Sequence, residues 1–283
     1  MNYYNEFDPD AAQWLRNLIS AGLIPAGDVD ERSIEDVRPD DLRGYVQCHF
    51  FAGIGGWPLA LDLAGWPRNM PAWTGSCPCQ PFSSAGKGDG FADERHLWPA
   101  WFHLIRECRP NVVFGEQVAS AIRHGWLDLV SADLEAEGYA VGSAVLGAHS
   151  VGAPHIRQRL YWVGDASGEG LDKQLSDAGV SQDARRNQER EAAQRTGWIG
   201  EWRVGADGKA RLIEPGIEPL AHGVSARVVR LRAYGNAIVP QTAAAFIGSF
   251  IEVKRVQGQR ELLLSRLKGR TGTRGIADLD TFG

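Results

Sequence analysis

The sequence predicts an α/β protein: a parallel sheet with helices on both faces, interrupted once by a small inserted domain. Three observations predict it. From residue 9 to residue 164, short apolar runs alternate with segments of helical periodicity, the pattern of strands that return through crossover helices. The aromatic run YVQCHFFAGIGG ends in glycines directly before a helical segment, so a buried strand meets a tight turn. Near Asp165 the texture then changes, and 166–224 is polar with few long apolar stretches before the apolar pattern returns at 228.

Taken in order, PDAAQWLRNLIS reads as a helix opened by proline, with apolar residues at helical spacing. AGLIPAGDV is a loop running into a short strand, and SIEDV has the form of a capping box, Ser33 with Asp36, opening a further helical turn. After the glycine-ended strand come the helix WPLALDLAGW, the strand PAWTGS and the long Gly/Ser-rich loop CPCQPFSSAGKGDG. HLWPAWFHLIREC resumes helix, NVVFGEQV is a strand ended by Glu116, AIRHGWLDLVSADLEAEGY is helical, and YAVGSAVL and RLYWVG are strands. Within the insertion, WRVGADGKARLIEP reads as a hairpin turning at Asp207–Gly208. RLRAYGNAIVPQ finally leads into the helix QTAAAFIGSFIEV. The domains expected are therefore 1–165 with 225–283, and 166–224.

Composition narrows the function classes. Hydrophobic residues make up 43% and charged residues 23% of the 283, ordinary values for a globular protein, and no apolar run approaches the roughly 20 residues of a membrane helix. The N-terminus MNYYNEFDPD lacks a signal-peptide pattern, and four cysteines are too few for a disulfide framework, so a reducing cytoplasm is expected. A net charge of −5 argues mildly against nucleic acid, but its distribution is uneven. The first 45 residues are acid-rich, whereas 185–232 and the segment from Lys254 to Arg274 are rich in arginine and lysine.

Two segments carry chemistry. Phe51-Ala52-Gly53-Ile54-Gly55-Gly56, between strand and helix, lets backbone N–H groups approach a ligand without side-chain obstruction, yet it has neither dinucleotide-fingerprint spacing nor the Lys-Ser/Thr of a phosphate loop. In Pro78-Cys79-Gln80-Pro81-Phe82-Ser83, two prolines fix the backbone around a thiol, as a nucleophile held at a set angle requires. Cys77 with Cys79 is poor zinc spacing, so no metal is expected. Glu116 at a strand end is a candidate acid, though a carboxyl there is also commonly just solvated.

Together these segments resemble the DNA cytosine-5 methyltransferase family. FAGIGGW at Phe51–Trp57 is similar to its donor-binding motif and PCQPFS to its catalytic loop, with Cys79 as nucleophile. Glu116-Gln117-Val118 stands where the family has Glu-Asn-Val, Arg157-Gln158-Arg159 matches its Arg-x-Arg pair, and Gly235-Asn236 its Gly-Asn motif. The blocks occur in family order and cover most of 46–165 and 228–250. One departure stands out. Only about twenty residues separate Gly56 from Cys79, where the family has two further strand–helix units. Asn5-Glu6-Phe7-Asp8 with AAQWLRNLI resembles the missing ribose-binding unit and Gly27-Asp28-Val29 the adenine-binding one, which implies a permuted order in which strands two and three of the sheet precede strand one. A helical extension with surface acids is the alternative for 1–45.

The resemblance implies a Rossmann-like S-adenosylmethionine-dependent methyltransferase sheet with 166–224 as target-recognition domain. S-adenosylmethionine would be bound by Phe51 to Gly56, Pro78 and Asn236, with Glu6 on the ribose, Phe7 on the adenine face, and Asp28 and Val29 at the adenine amino end. The resemblance further implies addition of the Cys79 thiolate to C6 of a flipped-out cytosine, Glu116 at N3, Arg159 at O2 and Arg157 as a brace. Ser83–Gly90 would close as a lid, with Asp93 and Arg95 anchoring it. Gln80, Ser83, Ser84, Lys87, Arg185, Arg186 and Arg203 are the expected contacts to double-stranded DNA. A solitary, monomeric methylase of phage or prophage type is expected by analogy. The competing readings are a tRNA cytosine-5 methyltransferase, an inactive DNA-binding protein on the same fold, suggested by Gln117, and a free-nucleotide pyrimidine methylase.

Overall fold

The computed structural model describes residues 1–77, 97–167, 201–204, 210–213 and 237–271, without the side chains of 201–204, 210–213 and 260–271. Among these residues the chain builds a seven-stranded sheet. Its strands are β1 (Asn2–Asn5), β2 (Gly27–Asp30), β3 (Gln47–Phe50), β4 (Ala72–Gly75), β5 (Val112–Val118), β6 (Ala140–Gly147) and β7 (Gln158–Asp165). They lie in the order β2-β1-β3-β4-β5-β7-β6. The first five run parallel, whereas β7 is antiparallel to both β5 and β6. The wholly parallel sheet expected from strand–helix alternation is thus corrected. A connection too short for a crossover helix, through a 3-10 turn at Ala148–Val151, carries β6 back into β7 and fixes the reversal.

The helices are α1 (Pro9–Ser20), α2 (Gly56–Leu63), α3 (Leu97–Cys108), α4 (Trp126–Ala136) and α5 (Pro240–Thr271). Side chains alternate across each strand, so consecutive residues feed opposite faces. Phe50, Val113, Leu160 and Trp162 join the core under α3 and α4, built around Trp98, Trp101, Leu104 and Trp126. Val112, Phe114, Tyr161 and Val163 face the other way, against Trp57 and Leu61 of α2 and Ile247 and Phe250 of α5. Tyr4 and Ala52 close a smaller cluster with Leu15 of α1. Helices therefore cover both faces.

Several local expectations are refined. Asp8, not the proline alone, starts α1: its carboxylate accepts from the N–H groups of Asp10 and Ala11. Ser33 opens only a 3-10 turn at Ile34–Asp36, and its hydroxyl caps Glu35 rather than Asp36, so the reciprocal box is not the form taken. The long helical reading of 121–139 divides at Gly125, where φ is 70°; a 3-10 segment precedes it and α4 follows. The hairpin of the insertion is present as β8 (Glu201–Val204) paired antiparallel with β9 (Ala210–Ile213), Arg203 opposite Arg211, while its turn lies outside the described residues. No helix among the described residues is long and apolar enough to cross a membrane.

Candidate active site

The strands end together at one edge of the sheet, and the site is assembled there. β3 is wholly buried and breaks at Phe51, whose φ of 51° is a conformation a bulky residue adopts only when its surroundings enforce it. Enforcement comes from Trp101 of α3, whose indole meets the Phe51 ring edge-on at 6.0 Å. Gly53 and Gly55 follow with φ of 54° and 83°, and Gly55 caps α2. A Cβ at Gly53 would meet open space, so that backbone faces the cleft. A Cβ at Gly56 would lie 2.6 Å from Ile238, so glycine there admits the segment returning from the far end of the chain.

Three strand ends are stitched to this turn. Ala52 N–H donates to Asn5 O at 3.0 Å, and Glu6 N–H donates to Asp30 O at 2.9 Å. The Glu6 carboxylate accepts from Gly53 N–H at 2.6 Å and from Asp8 N–H at 2.9 Å, binding the N-terminal segment to the glycine turn across 47 residues. Burial raises the Glu6 pKa, and those two N–H bonds partly counter it. Phe7, beside it, is 72% exposed. Asp28 is level with Tyr3, two residues before the end of β2, and accepts from the Tyr45 hydroxyl at 2.6 Å. Asp30 ends the strand level with Asn5; burial pushes its carboxyl up, but hydrogen bonds from Arg32 and Tyr3 outweigh this and hold it below its usual range. Val29 lies half-buried between them. With Tyr3, Arg16, Arg32 and Tyr45, the two acids and Val29 line an open depression of about 450 Å³.

The other half of the site is a buried charge cluster. Glu116, 7% exposed in β5, is bound at Oε1 by Arg159 Nε at 2.9 Å from the adjacent β7. Burial drives its pKa up, against the lowering pull of Arg159, Arg157 and a hydrogen bond from Ser76. Arg157 donates to Ala237 O at 2.7 Å, so the expected brace ties the returning C-terminal segment to the cluster; burial and Arg159 lower its own pKa. Gln117, where the related motif has Asn, folds its Oε1 onto Val118 N–H at 2.9 Å and reaches Cys77 O with its amide at 3.4 Å. Cys77 itself is buried, and burial pushes its thiol up, as it does for Cys48 and Cys108.

Sequence reasoning missed Ser76, and it placed Trp57 only as the last residue of the FAGIGGW motif. The Trp57 indole N–H donates to Ser76 Oγ at 3.1 Å, joining α2 to the end of β4. The signal available for Ser76 was position alone: it closes the strand segment PAWTGS just before the cysteine-bearing loop. Pro78, Cys79, Gln80, Ser83, Ser84, Lys87, Asp93, Arg95, Arg185, Arg186 and Asn236 lie outside the described residues, as does the side chain of Arg203. Among the described residues, no group of three or more His, Cys, Asp and Glu side chains could hold a metal ion.

A seven-stranded sheet with a reversed β7, a glycine turn after β3 and helices on both faces makes this a mixed α/β fold. Residues 66–196 match the family model described as C-5 cytosine-specific DNA methylase. Among its relatives, the type II methyltransferase M.HhaI of Haemophilus parahaemolyticus is 28% identical over 167 residues, 45% of this chain and 51% of that protein. M.NlaX of Neisseria lactamica is 37% identical over 146 residues, 47% of this chain and 46% of that one. The matched stretch thus spans about half the length of these relatives. A solved structure of a putative DNA modification methyltransferase encoded within a prophage of E. coli is 18% identical, covering 65% of this chain and 49% of that one, with a TM-score of 0.33.

Proposed function

We propose that the protein transfers a methyl group from S-adenosylmethionine to C5 of a cytosine flipped out of duplex DNA, with Cys79 as covalent nucleophile. The observation that carries this reading is the buried Glu116–Arg159 pair at the sheet edge that also bears the open glycine turn. A carboxyl whose pKa is raised by burial can present a proton to a ring nitrogen, and a guanidinium beside it can hold a carbonyl oxygen.

The described residues fit the proposed donor. The glycine turn opens backbone to the cleft, Glu6 keeps oxygen lone pairs for ribose hydroxyls beyond the two N–H bonds it accepts, and the exposed Phe7 ring offers a face to an adenine. Of the two acids in β2, Asp30 stands nearer to Glu6 than Asp28 does, because it ends the strand. When bound, the sulfonium supplies an electrophilic methyl. Sheet order supports the permuted reading: β1 and β2 lie beyond β3, on the side away from β4, although they come first in the chain.

The protein's own work is then to activate C5. Addition of a thiolate at C6 makes C5 enamine-like, and Glu116 and Arg159 would take up the charge that builds at N3 and O2. The chain has four cysteines, and burial pushes the pKa of three of them up. The fourth, Cys79, is the candidate for the thiolate on the resemblance of its Pro-Cys-Gln-Pro segment to the family's catalytic loop. Residues 166–224 we assign to target recognition, on their position between β7 and α5 and their arginine content.

Expression in a strain lacking cytosine methylation, beside a Cys79→Ala control, followed by nucleoside mass spectrometry of the genomic DNA, tests the whole reading. A 5-methyldeoxycytidine peak with wild type only is the expected result. Its absence from DNA with a 5-methylcytidine peak in tRNA would move the substrate to RNA.

A further inference from the structure

The two acids of β2 line the same open depression but are not equally engaged. Asp30 accepts from the Arg32 main-chain N–H at 2.9 Å, from Arg32 Nη2 at 2.7 Å and from the Tyr3 hydroxyl at 2.7 Å. Arg32 Nε lies 3.1 Å from each of its oxygens, so the guanidinium straddles the carboxylate. A carboxylate has about four acceptor positions, and these donors occupy those of Asp30. Asp28 takes one hydrogen bond among the described residues, from the Tyr45 hydroxyl to Oδ2 at 2.6 Å, which leaves Oδ1 able to accept. Tyr45 comes from the segment that joins β2 to β3. Because both strands run parallel to β1, on either side of it, that segment has to return from the cleft edge to the opposite edge of the sheet. It does so over the face that bears Tyr3, where Ile34, Val37 and Leu42 pack into the core, and it sets the Tyr45 ring 5.3 Å from that of Tyr3. The phenol is thus held by its ring, and a bond as short as 2.6 Å is among the stronger ones a carboxylate accepts.

We propose that Tyr45 is the positioning residue for Asp28, holding its carboxylate so that Oδ1 accepts from the 6-amino group of the donor's adenine, while Asp30 serves to tie Arg32 and Tyr3 to the strand end. This rests on the protein binding S-adenosylmethionine. An oxygen that only accepts pairs with a 6-amino purine and opposes a 6-oxo purine, whose oxygen also only accepts. Tyr45 acts through Asp28, so its contribution is to selectivity for the amino group. Losing the phenol lets the carboxylate turn, and the pairing with the amino group weakens while the rest of the donor is held as before.

Calorimetry on the full chain with S-adenosylhomocysteine and its 6-oxo counterpart, S-inosylhomocysteine, tests this without any methyl transfer. Wild type is expected to prefer the 6-amino compound by roughly a hundredfold. Tyr45→Phe removes one hydroxyl and keeps the ring against Tyr3. It is expected to weaken the 6-amino compound about tenfold and to leave the 6-oxo compound unchanged, so the preference drops by the same factor. Asp28→Asn, whose amide can turn a donor toward a 6-oxo oxygen, is expected to abolish the preference, and Tyr45→Phe added to it to change nothing further. Asp30→Asn is expected to lower both affinities together and keep their ratio. An equal loss for both compounds in Tyr45→Phe would make the tyrosine a mere wall of the depression and overturn the proposal. So would a ratio lost in Asp30→Asn but kept in Asp28→Asn. Binding with the wild-type ratio intact in Tyr45→Phe overturns the proposal alone, whereas no binding of either compound by wild type would sink the donor reading and the proposal with it.

Discussion

The two halves of the cleft are held in different ways. On the β1–β3 side the parts are backbone: N–H groups of Gly53 and Asp8 on the Glu6 carboxylate, and open space over the glycine turn. On the β5–β7 side they are side chains packed into the interior, Glu116 and Arg159 in contact and Trp162 filling the space beside Gly115. The first arrangement leaves room for a ligand and tolerates adjustment. The second concentrates charge where water does not screen it, so its members are strongly interdependent.

The sharpest way to break the contrast is Arg159→Met, which leaves Glu116 buried without the guanidinium that contacts it. A loss of about 3–5 kcal/mol in unfolding free energy at neutral pH is expected, read by denaturant titration. Gly115→Ala comes next. Its Cβ would lie 2.0 Å from the Trp162 ring, and overpacking of about 2–3 kcal/mol is expected, visible as a lowered midpoint in the same titration. Gly53→Ala, on the open side, meets no atom and carries only the strain of a positive φ, so about 1–2 kcal/mol is expected. If Gly53→Ala proves costlier than Gly115→Ala, the division between a backbone half and a packed half fails. Glu6→Gln is expected to weaken donor binding roughly tenfold by calorimetry, with about 1 kcal/mol lost from the fold.

The smallest effect is in pH. Glu116 and Glu6 both have raised pKa values in the fold, so each keeps its proton to higher pH when folded than when unfolded. Stability should therefore fall as pH rises from the ordinary value of 4.5 through the folded value, and Glu116→Gln should flatten the larger share of that slope in thermal melts.

Much of this was legible in the residues because it rests on local chemistry. The glycine turn, the strands around it and the Glu116 position follow from apolar runs ended by residues with special backbone freedom. The strand Asn2–Asn5 is a different case. Four residues flanked by asparagines carry no periodicity, and only the resemblance of Asn5-Glu6-Phe7-Asp8 implied a strand there. The direction of β7 was not legible at all, since an apolar strand reads alike in either orientation. Asp28 was named because its motif is read in sequence, whereas the place of Asp30 level with Asn5 follows only from register with β1. Ser76 escaped because a serine after glycine reads as an ordinary turn residue; its partner, the Trp57 indole, lies nineteen residues before it.

Strand order also bears on how the protein is made. Each of the four strands β2 to β5 finds a neighbour already present: β2 joins β1, β3 joins the other side of β1, β4 joins β3 and β5 joins β4. From β3 onward the nascent sheet can thus lengthen from one border without holding a vacant slot, until β7 wedges between β5 and β6. Early pairings of this kind close short loops first, which shortens the time an unpaired strand edge is exposed to other chains.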